Sequence, residues 1–154
     1  MTSYVKSVLQ PGEVVRHSAD LHWILYARGA FCVIAAWVIF LLLPAQPGFV
    51  HWSLVVVSAI LFAIGLGLLA QNWYRWWTTE IAVTDRRIIY KTGFIYRETS
   101  EMHMDKVESV DVDQTILGRL LDYGDVSVIG TGSTWETLRT IARPIVLRNH
   151  ITAA

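Results

Sequence analysis

The side chains of this sequence that could do chemistry are scattered along the chain. Five histidines occupy positions 17, 22, 51, 103 and 150. No two of them have the i, i+4 spacing that places two metal ligands on one face of a helix. His103 and Asp105 could lie on one face of a strand, but two ligands do not complete a coordination sphere, so a surface pair is favoured. We therefore expect no metal site and no cofactor.

The local sequence does not support nucleophilic catalysis or phosphate binding either. Ser133 could be combined with His103 and Asp105 as a triad, but no Gly-x-Ser-x-Gly turn surrounds the serine. The segment 130–133 is rich in glycine but lacks the lysine of a phosphate-binding loop. We expect no catalytic residue, and hence a protein that is not an enzyme.

The charged residues of the second half predict a solvated surface with one basic cluster. Carboxylates on the predicted strands, at positions 80, 98, 101, 111 and 113, are expected to face water. Arg86, Arg87 and Lys91 occupy one predicted hairpin, and each cation near an anionic leaflet contributes about 1 kcal/mol of attraction. Together with Arg28 they are the candidate lipid-binding residues. The slightly favoured interpretation is a turn and an edge strand that are kept soluble by charge.

The elements that must position these groups fall into two halves of contrasting composition. The 154 residues are 53% hydrophobic and 17% charged with no net charge, so composition gives no case for a nucleic-acid partner. Residues 24–43 are a 20-residue apolar stretch broken only by Arg28, and residues 54–70 carry no charge. Each approaches the roughly 20 residues needed to cross about 30 Å of hydrocarbon. Because 22 largely polar residues precede the first stretch, two transmembrane helices are favoured over a cleaved signal peptide.

Charge and aromatic residues predict the same orientation for this helical pair. Basic residues flank the two stretches, whereas the connecting segment 44–48 is uncharged, so the positive-inside rule places both termini in the cytoplasm. The prediction is a multi-pass protein of the cell (inner) membrane. The expected membrane-interface anchors are Trp23, Tyr26, Trp73, Tyr74, Trp76 and Trp77.

Small side chains predict how the two helices pack, because they let helix backbones approach closely in lipid. The first helix carries Gly29, Cys32 and Ala36 on about one face. The second carries Ala59, Ala63 and Gly67 at four-residue intervals. The alternative is that small residues are simply common in membrane helices.

The predicted boundaries divide the chain into six segments. They are a cytoplasmic N-terminal segment (1–22), transmembrane helix 1 (23–43), an external turn (44–51), transmembrane helix 2 (52–72), an aromatic interface segment (73–78) and a cytoplasmic β domain (79–154).

From residue 79 onward, apolar residues alternate with polar ones, which is typical of half-buried strands. Residues 84–86 predict a tight turn, Thr115 an N-cap, Gly124 the end of a short helix, and Pro144 the start of a C-terminal helix. Val107 is out of phase with the strand after it, which indicates either a bulge near residue 109 or a later start. The predicted core consists of Ile81, Val83, Ile88, Tyr90, Val110, Leu117, Leu120, Val126 and Val128.

Three sequence blocks resemble a known family. They are Val83 to Gly93 (VTDRRIIYKTG), Lys106 to Val110 (KVESV) and Ile116 to Val126 (ILGRLLDYGDV). In this order behind a helical pair, and with Leu9 to Glu13 (LQPGE) as a lead-in, they resemble the bacterial pleckstrin-homology-like, membrane-flanked domain family. The similarity covers nearly the whole chain. It implies a curved, partly open barrel of antiparallel strands with a helix at its end, and it implies no reaction.

The sequence thus predicts a membrane α-helical hairpin followed by a small, mainly-β domain. The expected function is a membrane-anchored interaction or scaffold module for self-association or partner-protein binding. The alternative is a sensor of anionic lipid headgroups. The expected partners are the lipid bilayer and either a second copy or a partner membrane protein.

Overall fold

The computed structural model describes residues 3–43, 48–93, 98–131 and 133–153. The chain divides into a β domain, formed by Met1–His22 with Thr78–Ala154, and a helical unit, Trp23–Trp77. The helices are α1 (Ser3–Val8), α2 (Ala27–Leu41), α3 (Phe49–Thr78), α4 (Ile116–Leu121) and α5 (Pro144–Thr152). The strands are β1 (Val15–Ala19), β2 (Glu80–Thr84), β3 (Arg87–Thr92), β4 (Glu98–His103), β5 (Val107–Asp113), β6 (Tyr123–Gly130) and β7 (Ser133–Ala142).

The helical unit contains two helices that are long and apolar enough to cross a membrane. The first, Trp23–Leu41, begins with a 3-10 turn, and the second is α3. A Cβ on Gly65 would lie 2.7 Å from Val33 Cγ2 and 3.1 Å from the carbonyl oxygen of Gly29, so α2 and α3 meet closely at these glycines. The predicted face of the first helix is confirmed at Gly29 and Ala36, which are buried. On the second helix, the prediction is wrong at Gly67, where an added Cβ would meet nothing within 4 Å, and Gly65 makes the close approach instead. Residues 44–47 of the predicted external turn lie outside the described residues, and residues 49–51 belong to α3.

The β domain consists of two antiparallel sheets, β1-β2-β3-β4 and β5-β6-β7, together with short helices. β1 was not predicted from the sequence. It pairs with β2, with Ala19 opposite Ile81. One strand of this sheet therefore precedes the two apolar helices in the chain, and its other three strands follow them. The segment predicted as separate, 1–22, therefore contributes to the β domain. The register of β5 shifts between Val107 and Ser109, which supports the bulge.

The apolar core lies mainly on β2, β3, β6 and β7. Five residues of the predicted core are fully or almost fully buried: Ile81, Val83, Ile88, Val126 and Val128. Tyr90 and Val110 are half-buried. Leu138 and Ile141 on β7 were not predicted, and both are completely buried.

The prediction that α4 packs into the core is wrong. Leu117 is 62% exposed and Leu120 is 79% exposed. The helix is instead seated by Gly118, whose Cβ position would lie 2.7 Å from the carbonyl oxygen of Tyr123. The N-cap prediction is confirmed, since the Thr115 hydroxyl accepts a hydrogen bond from Gly118 N at 3.0 Å. The predicted stop at Gly124 is wrong, because Asp122 adopts the left-handed conformation that ends the helix.

Candidate functional site

The densest cluster of charged side chains in the described part of the β domain surrounds Arg87, the first residue of β3. Its guanidinium forms a paired contact with Glu13, with Nε 3.0 Å from Oε1 and Nη2 2.9 Å from Oε2. Nη1 donates to Glu101 Oε2 at 2.8 Å, and Nη2 also donates to the carbonyl oxygen of Val8 at 2.9 Å. The side chain of Glu13 is completely buried, and that of Arg87 is 9% exposed. The guanidinium thus joins the N-terminal segment to β3 and β4.

Both carboxylate oxygens of Glu13 accept hydrogen bonds. Besides Arg87, it accepts from the backbone N of Gln10 at 2.9 Å, and the Thr84 hydroxyl lies 2.8 Å from its Oε1. Burial alone would raise the pKa of Glu13, but the hydrogen bonds from Arg87, Gln10 and Thr84 outweigh it and lower the pKa from 4.5 to about 2. The hydrogen bonds that Arg87 donates to Glu13 raise the pKa of the guanidinium. Both groups are therefore charged throughout the physiological range.

A second buried ion pair lies on the same face of β3. Lys91 Nζ is 3.1 Å from Glu80 Oε1, and it stands 4.8 Å from the centroid of the Tyr4 ring. Both members of the pair are almost fully buried. The expectation that Glu80 faces water is therefore wrong, because its strand has neighbours on both sides and the carboxylate is used to neutralise a buried lysine.

The four candidate lipid-binding cations occupy different environments. Arg86 and Arg28 are exposed, whereas Arg87 and Lys91 are buried and paired with carboxylates. Residues 87, 89 and 91 share one face of β3, since side chains alternate along a strand. That face is covered by N-terminal residues, including Tyr4 and Glu13. The geometry does not gather the three hairpin cations into one exposed patch.

The predicted interface anchors lie at one end of the helical unit. Trp23, Trp73, Tyr74, Trp76 and Trp77 are exposed, and Tyr26 is half-buried. The Tyr26 and Trp76 rings are 5.7 Å apart, and Asn72 Nδ2 donates to the carbonyl oxygen of Leu25 at 2.8 Å. The start of the first apolar helix and the end of the second therefore share an aromatic cluster.

The histidines form ring contacts that sequence spacing did not reveal. His17 on β1 stacks on His150 of α5 with ring centroids 4.4 Å apart. Burial lowers the pKa of His17 below 6.5, and the charges of His150 and Arg143 lower it further against the effect of Asp20. The neutral form of the His17 ring is thus favoured where α5 packs on β1. Within the described ranges, no group of three or more His, Cys, Asp or Glu side chains could hold a metal ion.

Glu13 and Thr84 are the important polar residues that sequence reasoning missed. They are 71 positions apart and flank the apolar helices, so no local spacing could connect them. The available signal was the LQPGE block, which was recognised as a family lead-in without a structural role. The contacts now show that its glutamate is the counter-ion of Arg87.

The β domain has two antiparallel sheets, an N-terminal strand that pairs with β2 and a short C-terminal helix, an architecture consistent with a PH-like domain. The model of a family described as "Bacterial PH domain" matches residues 25–154, which includes both apolar helices. The chain belongs to the bacterial PH domain family, which confirms the resemblance found in the sequence. Comparisons with curated proteins and with solved structures gave no significant match.

Proposed function

We propose that this protein is a membrane-anchored interaction module without catalytic activity. Its two long helices hold the PH-like domain at the cytoplasmic face of the cell membrane, where the domain binds a second copy or a partner membrane protein. The family membership supports the interaction role, since PH-like domains are binding modules.

The observation that carries the proposal is the exposure of the helical unit. Within the most apolar window of each helix, 11% of the residues are buried by the rest of the protein. A core helix of a soluble protein would be mostly buried, because apolar surface left in water is costly. Large apolar side chains stand exposed along both helices, including Phe31, Trp37, Phe40, Ile60 and Ile64. A hydrocarbon environment removes this surface from water and tolerates helices because their backbone groups are satisfied internally.

The polar clusters of the described β domain favour binding over catalysis. The two buried carboxylates, Glu13 and Glu80, are each bound to a buried cation, Arg87 and Lys91 respectively. Their contacts connect the N-terminal residues to the sheet, which is a structural task. The surfaces left for function are the exposed strand faces and α4.

Headgroup sensing by the basic hairpin is the second candidate function, and the geometry gives it less support than the sequence did. A cation must be exposed to reach a phosphate, and Arg87 and Lys91 are committed to buried carboxylates. Arg86 remains exposed and on its own would contribute about 1 kcal/mol near an anionic leaflet. The protein-interaction role is therefore preferred.

The orientation of the chain can be tested with thiol labelling in intact cells. We expect a cysteine at Gln46, in a Cys32→Ala background, to react with a membrane-impermeant thiol reagent, because the uncharged connection is predicted to be external. A cysteine at Thr152 should react only after the cells are permeabilised. Labelling of Thr152 but not Gln46 in intact cells would reverse the proposed topology.

The interaction role can be tested on the full-length chain in lipid nanodiscs and in mild detergent. We expect it to remain with membranes after alkaline extraction and to purify either as more than one copy or with a stoichiometric partner. Leu138→Asp places a charge in the core of the β domain and leaves α2 and α3 unchanged, so it should remain in the membrane but lose the association.

Two outcomes would contradict the proposal. Release of the wild-type chain by alkaline extraction would remove the membrane anchor. A single copy without a partner under both conditions would remove the interaction role.

A further inference from the structure

Helix α4 exposes an unusual amount of apolar surface for so short an element. Ile116 is 88% exposed, and Leu117, Leu120 and Leu121 are 62%, 79% and 37% exposed. Single exposed apolar residues are ordinary on protein surfaces, but a contiguous group marks a contact surface. Four of the six residues of α4 belong to this group.

Polar contacts hold α4 in place, so its apolar residues are not needed for its attachment. Thr115 caps the first turn, and Asp122 ends the helix in the left-handed conformation. Gln114 Nε2 donates to the carbonyl oxygen of Tyr123 at 3.0 Å, and the backbone of Gly118 approaches the same carbonyl closely. The helix is thus a fixed platform that directs large apolar side chains away from the domain.

The C-terminal end of α4 lies where the chain leaves the β domain for the apolar helices. His22, the last residue of the domain before Trp23, stacks on Tyr123 with ring centroids 5.2 Å apart. Tyr123 follows Leu121 by two residues. The backbone N of Arg143 donates to the carbonyl oxygen of Asp122 at 2.9 Å, which fixes this corner to β7 and α5.

The second connection to the helical unit leaves the β domain from the same end. β1 and β2 are antiparallel, and Ala19 near the end of β1 faces Ile81 near the start of β2. The chain enters the helical unit at Trp23, four residues after Ala19, and leaves it at Trp77, four residues before Ile81. Both covalent connections and the end of α4 therefore share one end of the domain.

We propose that α4 inserts Ile116, Leu117 and Leu120 into the headgroup–acyl boundary of the bilayer that holds α2 and α3. This inference rests on the proposed membrane anchoring. The two connections tether the β domain at the bilayer, and α4 adds a contact that fixes its tilt. The remaining surfaces are then presented to a partner in one orientation.

The size and charge of the surface favour lipid over a second copy of the chain. Four partly exposed side chains on a helix about 9 Å long offer roughly 300 Å² of apolar area, well below the roughly 800 Å² per partner of a stable protein interface. A domain that is already tethered at the membrane needs no such minimum contact area to bind lipid. The sequence around α4 carries Asp113 and Asp122 as well as Arg119, so apolar burial and not headgroup charge drives the proposed contact.

The test uses the full-length chain in a Cys32→Ala background, with an environment-sensitive fluorophore on a single new cysteine. The test position is Leu120. The membrane control is Ile64, exposed on α3, and the water control is Glu108, exposed on β5. Each variant is reconstituted into phosphatidylcholine vesicles with and without brominated acyl chains, and iodide serves as the aqueous quencher. Because Leu120 is mostly exposed, the substitution should leave the fold intact, which circular dichroism checks.

We expect brominated lipid to quench the label at Leu120 at least about twofold more than the label at Glu108, as for an apolar helix face at the acyl boundary. Iodide should show the reverse order. If the Ile64 label is quenched by brominated lipid but the Leu120 label behaves like that at Glu108, the α4 contact is overturned and the membrane anchor stands. If the Ile64 label is not quenched, the proposed anchoring fails and the α4 contact falls with it. Protection of the Leu120 label from both quenchers, together with disulfide cross-linking between copies of the unlabelled Leu120→Cys variant, would assign the surface to a second chain instead.

Discussion

Glu13→Ala is expected to lower the free energy of unfolding of the β domain by about 3 to 5 kcal/mol, which is the range for removing one partner of a buried ion pair. The substitution removes the buried carboxylate and leaves the Arg87 guanidinium with only the partly exposed Glu101 carboxylate and the Val8 carbonyl as partners. It also removes an acceptor from Thr84 and from the backbone of Gln10. Amide hydrogen exchange of β2 and β3 in the intact chain measures this loss directly.

Two controls separate the buried pair from general damage to the N-terminal segment. Glu101→Ala removes the outer carboxylate, whose side chain is 34% exposed, and should cost much less. The double change Glu13→Met with Arg87→Met should be less destabilising than Glu13→Ala, because it leaves no unpaired charge. An effect of Glu13→Ala below about 0.5 kcal/mol would show that the buried pair with Arg87 does not stabilise the domain.

The same carboxylate gives the domain a defined acid sensitivity. Glu13 has a pKa of about 2 in the folded protein against 4.5 ordinarily, so the unfolded chain takes up a proton at a higher pH than the folded one. Its contribution, on the order of 3 kcal/mol, is complete above pH 4.5 and is lost as the pH falls through 2. The Glu13→Gln variant should lack this part of the pH dependence.

The strands of the β domain were predictable where alternation was clear, and β1 was not. Val15, Arg16 and His17 carry little apolar alternation, and their partner strand begins only at Glu80, after both apolar helices. Pairing across such a separation is decided by long-range packing of the sheet and not by local preference. The division of the β domain into two chain segments therefore emerges only in three dimensions.

The exposure of α4 was mispredicted for a related reason. Leucines at helical spacing indicate an apolar face, but the period does not say what covers that face. In this domain Gly118 and the capping contacts seat the helix, so the apolar face is left free. For the hairpin cations, the sequence overestimated exposure and not burial. Arg87 was placed among the candidate lipid-binding residues because its counter-ion, Glu13, lies 74 positions away.

The final prediction contrasts two leucines that sequence reasoning could not rank correctly. Leu138 on β7 is completely buried and Leu120 on α4 is 79% exposed. Leu138→Ala should lower the free energy of unfolding of the β domain by about 2 to 5 kcal/mol, because it removes buried methyl groups and leaves a cavity. Leu120→Ala is the matched control, with the same atoms deleted, and should change it by less than about 0.5 kcal/mol.

Amide hydrogen exchange of β6, which lies between β5 and β7, reports both variants in the intact chain. Exchange should accelerate markedly in Leu138→Ala and remain close to wild type in Leu120→Ala. Equal losses would show that α4 packs into the core after all. A small loss for Leu138→Ala alone would show that β7 contributes little to the domain. If the ranking holds, any effect of Leu120 on membrane association can be attributed to its exposed surface, because the fold does not depend on that side chain.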